Sequence, residues 1–196
     1  MQVLFCTLIL SQLQTIQRKM KMPLDLEKFK IDYDRWVEES LPDYLAGKME
    51  HIVKKYPFIT PHDIPWTPYS GTPPAQKFGL ITSGGLYLKE TQEPFDTASI
   101  HGDTSFRELP KTIGQVDIGI AHKHYDHSLA KQDFNIIFPV QRLVELEEEN
   151  IIGGLADVNY SFSYVNDVVT LAEKTVPELI KKIRAQSIDV VFLVPV

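Results

Sequence analysis

The sequence predicts an α/β fold in which a mostly parallel sheet is flanked by helices in a Rossmann-like, three-layer arrangement. Three apolar segments, residues 77–82, 116–121 and 188–196, have the length and composition of buried strands. Two segments with apolar residues at helical spacing lie between the second and the third of these strands. In such sheets, binding sites form where the strands reach their carboxyl ends.

The composition is that of an ordinary globular protein. The 196 residues are 43% hydrophobic and 23% charged, and the formal net charge is -6. No block of Lys and Arg indicates binding to nucleic acid or to an anionic membrane. The apolar residues 1–10 are too short to span a bilayer. Cys6 is the only cysteine, so an internal disulfide is excluded, and we expect a cytoplasmic protein.

The chain is predicted to have three segments. Residues 1–22 are interpreted as a doubtful N-terminal extension, because they lack the features of a signal peptide. Residues 23–76 are expected to form a helical segment, with two helices joined near Pro42, and then an N-terminal proline-rich arm. Residues 77–196 are expected to form the α/β domain. We expect this domain to be incomplete at its C-terminus, because no helix follows its last strand.

A glycine-rich turn follows the first predicted strand of the α/β domain. Its residues are Thr82, Ser83, Gly84 and Gly85. A strand that leads into such a turn can present backbone N–H groups to a carboxylate or a phosphate. The alternative is a turn that uses glycine only for its conformational freedom.

Two polar loops, residues 93–107 and 159–164, are the next candidates for substrate binding, because long loops in compact domains are often functional. The candidate residues in these loops are Asp103, Ser105, Arg107, Tyr160 and Ser161. The guanidinium of Arg107 is suited to bind a carboxylate through two hydrogen bonds, although a surface ion pair is the alternative.

The second predicted strand leads into a cluster of titratable residues, His122, His124, Asp126 and His127. If the extended backbone continued, the first three would face the same side. Imidazole and carboxylate groups bind metals or transfer protons near neutral pH. These four residues are therefore the candidate catalytic residues. The alternative is a polar loop whose side chains cap neighbouring backbone.

Two helices are predicted between the second and the last strand. The first covers residues 135–151 and is expected to end at the glycines 153–154. The second covers residues 168–185 and is amphipathic, and it must accommodate Pro177.

One family resemblance rests on the histidine cluster alone. The spacing His-x-His-x-Asp-His after an apolar strand resembles the metal-binding signature of the metallo-β-lactamase superfamily. It implies a metal-dependent hydrolase in which His122, His124, Asp126 and His127 bind the metal. Because that family needs further histidine ligands downstream, and no histidine follows His127, the hydrolase is kept as an alternative function.

A second resemblance extends from about residue 65 to the C-terminus. Its motifs, in order, are IPWTP (64–68), ITSGGLYLK (81–89), EPFD (93–96), GDTSFR (102–107), HKHYDH (122–127), DFNIIFPVQRLVE (133–145), IGGL (152–155), YSF (160–162) and VPV (194–196). Together they resemble the glycine/sarcosine/betaine reductase selenoprotein B family, which includes the selenoprotein subunit of D-proline reductase.

This second resemblance implies a subunit of an oxidoreductase complex that reductively cleaves a C–N bond of a small amino acid or amine, of the glycine, sarcosine, betaine or D-proline type. It implies a partner subunit that carries a pyruvoyl group, a thiol reductant, and a selenocysteine or cysteine just after Val196. A chain that stops at Val196 is then expected if a UGA codon is read as a stop. The last strand should end beside the histidine cluster. A non-catalytic accessory or binding subunit is the remaining alternative.

Overall fold

The computed structural model describes residues 25–58, 68–99 and 101–196. The chain divides into two compact units, with the boundary between Trp66 and Thr67. The described part of the first unit is helical, and the second unit is α/β. The predicted extension and the central part of the proline-rich arm lie outside the described residues. Within those residues, no helix combines the length and the apolar composition that crossing a membrane requires.

Two helices, α1 (Leu26–Leu45) and α2 (Met49–Lys54), form the described part of the first unit. The sequence predicted a break at Pro42, and this prediction is wrong, because α1 continues through Pro42. The helices are separated at Gly47, which has a φ of +69°. A proline near a helix end removes one backbone hydrogen bond, whereas a left-handed glycine reverses the chain and ends the helix.

The second unit is built on a five-stranded sheet with β1 (Lys77–Thr82) at its centre. The other strands of the unit are β2 (Leu86–Leu88), β3 (Arg107–Pro110), β4 (Ile118–Ile120), β5 (Gly154–Leu155), β6 (Val158–Ser161) and β7 (Val190–Val194). β1 pairs in parallel with β7 and also with β5 and β6, whereas β3 pairs antiparallel with β6. The predicted α/β class and mostly parallel sheet are confirmed, and the Rossmann-like layering stays a prediction.

β2 and β4 form a separate, antiparallel two-stranded ribbon in which Leu86 lies opposite Ile120. The sequence predicted residues 116–121 as a buried strand, but only β4 is extended. The segment before it, Gln115–Asp117, is a 3-10 turn with Val116 exposed. The apolar pattern therefore identified a strand but placed its start too early.

The first predicted helix of the second unit is shorter than expected. Helix α3 (Val140–Glu148) is preceded by a 3-10 turn at Phe134–Ile136. The helix ends before Asn150, which adopts a left-handed φ of +58°. The expectation that Gly153 and Gly154 end it is wrong, because Gly154 already belongs to β5.

The second predicted helix is present and contains a π-helical turn. It consists of α4 (Val168–Thr170), the π turn Leu171–Thr175 and α5 (Val176–Ala185). Pro177 cannot donate a backbone hydrogen bond, and its ring would clash with the carbonyl four residues earlier in a regular helix. The wider π turn lies where that clash would occur, which accounts for how the helix accommodates Pro177.

Both faces of the central strand are covered. The neighbouring residues Leu80 and Ile81 point to opposite faces of β1, and their exposed fractions are 0% and 1%. Strands covered on both faces are typical of parallel sheets. On α5, the buried residues Val176, Leu179, Ile180 and Ile183 recur at helical spacing and form its apolar face.

A buried asparagine near the start of β6 forms hydrogen bonds across the interruption between β5 and β6. The side chain of Asn159 accepts a hydrogen bond from Leu80 N–H (2.8 Å) and donates one to the carbonyl of Ala156 (2.9 Å). It replaces the backbone bonds that a continuous strand would make with β1. The sequence predicted a loop over residues 159–164. This prediction is wrong for residues 159–161, which belong to β6. The buried polar side chains of β6 obscure the apolar pattern that would indicate a strand.

We predict that Asn159→Ala lowers the free energy of unfolding of the second unit by about 2–4 kcal/mol, because it leaves two buried backbone groups without partners. Amide hydrogen exchange of β1 measures this change. Tryptophan fluorescence would not report on it directly, because both tryptophans precede the second unit. The exposed control Gln132→Ala should change it by less than about 0.5 kcal/mol. A loss as small as the control's would contradict the bridging role of Asn159.

Candidate functional site

Three parallel strands of the second unit reach their carboxyl ends together. Thr82 lies opposite Ser161 on one side and opposite Val194 on the other. Beyond the strands, Ser83 N–H donates to the carbonyl of Val194 (3.1 Å), and Val196 N–H donates to Ser83 Oγ (2.9 Å). The last strand therefore ends at the glycine-rich turn, as the sequence predicted.

Gly85 connects this sheet edge to the segment that carries the histidines. Its N–H donates to the carbonyl of Phe162 (2.7 Å), and its carbonyl accepts from Ala121 N–H (2.8 Å). The φ of Gly85 is +70°, and a Cβ atom there would lie 2.5 Å from Ala121 O. Only glycine fits this conformation and this contact. His122, which follows Ala121, therefore begins at the sheet edge.

The histidine turn, defined as residues 122–127, is not extended. The backbone bends directly after β4. As a result His122 is 8% exposed, whereas His124 and Asp126 are exposed. The side chains were expected to face one side only if the extended backbone continued, and this condition is not met. His122 Nδ1 instead accepts a hydrogen bond from the N–H of His124 (3.2 Å).

Tyr125 lies at the centre of the histidine turn. Its ring centroid is 4.9 Å from that of His122 and 4.6 Å from that of His127. Its hydroxyl donates to the carbonyl of Gly84 (2.8 Å). One side chain thus joins two of the histidines to the glycine-rich turn. Sequence reasoning missed Tyr125, since an aromatic residue within a motif ordinarily indicates only packing.

A second tyrosine supports the exposed histidine. The rings of His124 and Tyr164 are 4.1 Å apart between centroids and tilted by 42°. Tyr164 Oη donates to the side chain of Asn166 (2.8 Å), which holds the phenol ring in place. Sequence reasoning also missed Tyr164, whose contact with His124 comes from a different loop.

His122 is a neutral imidazole. Burial, followed by the charges of His124 and His127, lowers the pKa of His122 to about 4. Because Nδ1 accepts a hydrogen bond, the ring proton is assigned to Nε2. At neutral pH, His122 can therefore donate a hydrogen bond but cannot act as a cationic acid.

His127 carries a ring nitrogen that has no hydrogen-bond partner. Its Nε2 is buried and has no hydrogen-bond partner among the residues the structure describes. A buried nitrogen in this condition normally indicates a ligand, a water molecule or a catalytic role. His127 therefore remains able to bind or protonate a group that reaches this edge.

Asp126, one of the four candidate catalytic residues, binds Ser128 and not an imidazole. Its carboxylate accepts hydrogen bonds from the N–H (2.9 Å) and the hydroxyl (2.8 Å) of Ser128, which lower its pKa. Over residues 25–58, 68–99 and 101–196, no three His, Cys, Asp or Glu side chains are grouped so that they could hold a metal ion. The metallo-hydrolase interpretation therefore lacks its ligand set in the part of the chain described.

The glycine-rich turn uses its own donors internally. Besides the bonds of Ser83 and Gly85, Gly84 N–H donates to Thr82 Oγ1 (3.1 Å), and this hydroxyl donates to the carbonyl of Ile137 (2.6 Å). All three backbone N–H groups of residues 83–85 therefore have partners within the protein. The turn supports the site but leaves no unpaired backbone donor for an anion.

Arg107 stabilises its own loop. Its guanidinium donates to the carbonyls of Glu93 (2.9 Å) and Pro94 (3.3 Å) and to Ser105 Oγ (2.7 Å). It also lies 3.7 Å from Asp103, whose carboxylate binds Ser105 in turn. The predicted substrate-binding residues Asp103, Ser105 and Arg107 do lie together, and they bond to one another. The donors of Arg107 therefore have partners within the protein, and the carboxylate clamp expected of it stays a prediction.

The hydroxyls of Tyr160 and Ser161 are also bonded within the protein. Tyr160 is 2% exposed, and its hydroxyl accepts from Gln186 Nε2 (2.9 Å). Ser161 is fully buried, and its hydroxyl accepts from Leu86 N–H (2.8 Å). Both residues are therefore buried and bonded within the protein, and their predicted role in substrate binding stays a prediction.

Comparison with known proteins identifies one family. A family model described as glycine/sarcosine/betaine reductase selenoprotein B matches residues 67–196. The D-proline reductase subunit gamma of Acetoanaerobium sticklandii is 30% identical over 136 residues, which cover 69% of this chain and 54% of that protein. The glycine reductase complex component B subunit gamma of Symbiobacterium thermophilum is 27% identical over 159 residues, which cover 76% of this chain and 37% of that protein.

The corresponding component B subunit gamma of Peptoclostridium acidaminophilum is 27% identical over 119 residues, or 60% of this chain and 27% of that protein. The matched part of the chain thus spans 54% or less of the length of these relatives. No solved structure matches the chain.

We predict that Gly85→Ala lowers the free energy of unfolding of the second unit by about 2 kcal/mol or more, because both its φ and its contact with Ala121 are incompatible with a side chain. Hydrogen exchange of the β1 amides measures the change. The control is Gly154→Ala, whose Cβ would meet only Glu147 Oε1 at 3.4 Å. Equal losses for both variants would contradict a special requirement at Gly85.

We predict that the His122 imidazole stays neutral down to about pH 5, as measured by its ¹⁵N chemical shifts. Its folded pKa of about 4 lies below the usual value of 6.5, so the unfolded state binds the proton first. The contribution of His122 to stability is therefore complete above pH 6.5. It decreases towards pH 4 by up to about 1.4 kcal/mol per pH unit.

The control for His122 is His51→Gln, an exposed histidine of α2, which should leave this pH dependence unchanged, whereas His122→Gln should reduce it. A titration midpoint of His122 near 6.5 would show that the imidazole is not desolvated.

Proposed function

Because this chain belongs to the glycine/sarcosine/betaine reductase selenoprotein B family, we propose that it is the subunit of a reductase complex that uses a selenol or thiol to cleave the C–N bond of a small amino acid or amine. The matched relatives are named as subunits of D-proline reductase and of the glycine reductase complex. Their names support a substrate of the same class, with glycine, sarcosine, betaine and D-proline as the compounds to test.

The observation that carries this proposal is that the residues just after β7 and the histidine turn both bond to the glycine-rich turn. Val196 N–H is bonded to Ser83, and Tyr125 is bonded to the adjacent Gly84. The two bonds bring the end of β7 and the aromatic centre of the histidine turn to neighbouring residues of one short turn. A redox residue just after Val196 would therefore enter the site beside His122 and His127.

The reaction sets the requirements that the site must meet. The C–N bond breaks and the amine leaves with its electron pair, while the carbon gains a proton and two electrons from a pair of thiols that is oxidised to a disulfide. In the proposed complex, a pyruvoyl group on a partner subunit would capture the amine. A selenocysteine or cysteine after Val196 would be the nucleophile. This chain must then supply hydrogen bonds and a proton.

The histidines divide these tasks. His127 offers a buried, unpaired Nε2, and we assign it the transfer of a proton to the leaving amine or the stabilisation of the anionic nucleophile. His122 is neutral and donates from Nε2, so it acts as a fixed hydrogen-bond donor. Tyr125 is a positioning residue, because it contacts both imidazoles and holds them to Gly84.

The proposal is tested on the complex purified through an affinity tag on this chain. With dithiothreitol as reductant, we expect release of ammonium, methylamine or trimethylamine from glycine, sarcosine or betaine, or ring opening of D-proline. His127→Gln should lower kcat by about 100-fold, the contribution typical of general acid catalysis. His51→Gln, an exposed histidine of α2, is the matched control and should retain full activity.

Two outcomes would contradict the proposal. One is the absence of thiol-dependent C–N cleavage with all four compounds. The other is a His127→Gln complex as active as the wild type, which would remove His127 from the reaction. Hydrogen exchange of β1 in the variant separates a loss of chemistry from a loss of folding.

A further inference from the structure

The two helices of the first unit pack against each other through aromatic side chains. Trp36 of α1 donates from Nε1 to the carbonyl of Ile52 in α2 (2.9 Å). The ring of Trp36 packs edge-on against that of Tyr56, with 4.9 Å between the centroids. Phe29 and Ile52 are buried. These contacts hold α1 and α2 as a hairpin and determine which of its residues stay outside.

Six large apolar side chains in the second half of α1 and in α2 are nevertheless exposed. Their exposed fractions range from 43% to 78%, and the residues are Val37, Leu41, Tyr44, Leu45, Met49 and Val53. Together they expose on the order of several hundred Å² of apolar surface. Single exposed apolar residues are ordinary, whereas a contiguous patch of this size marks a surface that binds another segment.

The exposed apolar residues lie on one side of the hairpin. The carboxylate of Asp43 in α1 is 3.9 Å from Nδ1 of His51 in α2, so these two residues mark the other side. Successive residues of a helix are turned by about 100°, which places Met49 and Val53 roughly opposite to His51 on α2. The same rotation places Leu41 roughly opposite to Asp43 on α1. The six residues therefore form one surface, which is called the apolar face of the hairpin.

Nearer to the start of α1, the same stripe of the helix is acidic. Asp34 and Glu38 precede Leu41 and Leu45 by seven residues each, and Glu27 precedes Asp34 by seven, so all five share one stripe. The three carboxylates form no ion pair within 4.0 Å in the described part of the chain. Like charges four residues apart destabilise a helix, so this row favours a neighbouring segment that is cationic.

Residues 1–24 lie outside the described residues, and their sequence has the complementary order. They contain no Asp or Glu, and their cationic residues, Arg18, Lys19 and Lys21, come shortly before α1. Earlier in this segment, apolar residues recur at the spacing of one helical face, namely Phe5, Ile9, Leu13 and Ile16. A segment antiparallel to α1 would place its cations beside the carboxylates and its apolar residues beside the apolar face.

We infer that the apolar face of the hairpin is the docking surface of residues 1–24 of the same chain, which fold back antiparallel to α1. A second copy of the hairpin would bring no surplus of cations, since residues 25–45 carry seven carboxylates and three cationic side chains. Docking makes these residues part of the first unit, in place of the extension that the sequence suggested. The inference does not rest on the proposed function, whose residues lie in the second unit.

The first test replaces Leu41 of the full-length chain by the photo-crosslinking residue p-benzoylphenylalanine. Irradiation should link this position to residues 1–24 of the same chain, as identified by mass spectrometry of the digested monomer. The matched control carries the same replacement at Glu39, an exposed residue on the other side of α1, and should not form this link. A link from position 41 to a second copy or to residues 67–196, or no link at all, would overturn the inference.

The second test measures amide hydrogen exchange of α1 in the full-length chain. Ile9→Asp should raise the exchange rates of α1 about tenfold, because it removes one apolar side chain from the contact. The matched control is Ser11→Asp, which adds the same charge at a polar position and should change these rates by less than about twofold. The inference requires both results, so equal rates in the wild type and Ile9→Asp would overturn it even if the cross-link formed.

Discussion

The position of the candidate site depends on the backbone of Gly85, which is bonded in two directions. Its N–H binds the carbonyl that follows β6, and its carbonyl binds the N–H that follows β4. These two bonds join the five-stranded sheet to the two-stranded ribbon. Any side chain at this residue would displace Ala121 and with it the start of the histidine turn. The conformational freedom of one glycine thus determines where His122 lies relative to the ends of β1 and β7.

Most polar groups at this sheet edge form hydrogen bonds that stabilise the edge itself. Thr82, Ser161 and Arg107 all have partners within the protein, because a buried polar group without a hydrogen bond is costly. What indicates a ligand is therefore a polar group that remains unpaired. His127 Nε2 satisfies this criterion within the described residues, and it is the group to which the proposal assigns the proton transfer.

The sequence predicted those parts of the fold whose signals are local. β1, β7 and the helix with Pro177 follow from apolar runs and helical spacing, and the meeting of β7 with the glycine-rich turn follows from the rule for parallel sheets. β6 was missed because the partners of its buried Asn159 lie as far as 79 residues away in sequence. The role of Ser161 could not be predicted for the same reason, since its donor, the N–H of Leu86, lies 75 residues away in sequence.

The match to the family coincides with one structural unit. The family model covers residues 67–196, and the second unit begins at Thr67. Every residue assigned here to chemistry lies in this unit, and so does the contact between β7 and the glycine-rich turn. The neutral His122 and the tyrosine beside it require no reorganisation when a charged group arrives, which is the condition under which fixed dipoles stabilise an anion best. The second unit therefore has features that the proposed function requires, namely a preorganised sheet edge and a buried, unpaired His127 Nε2.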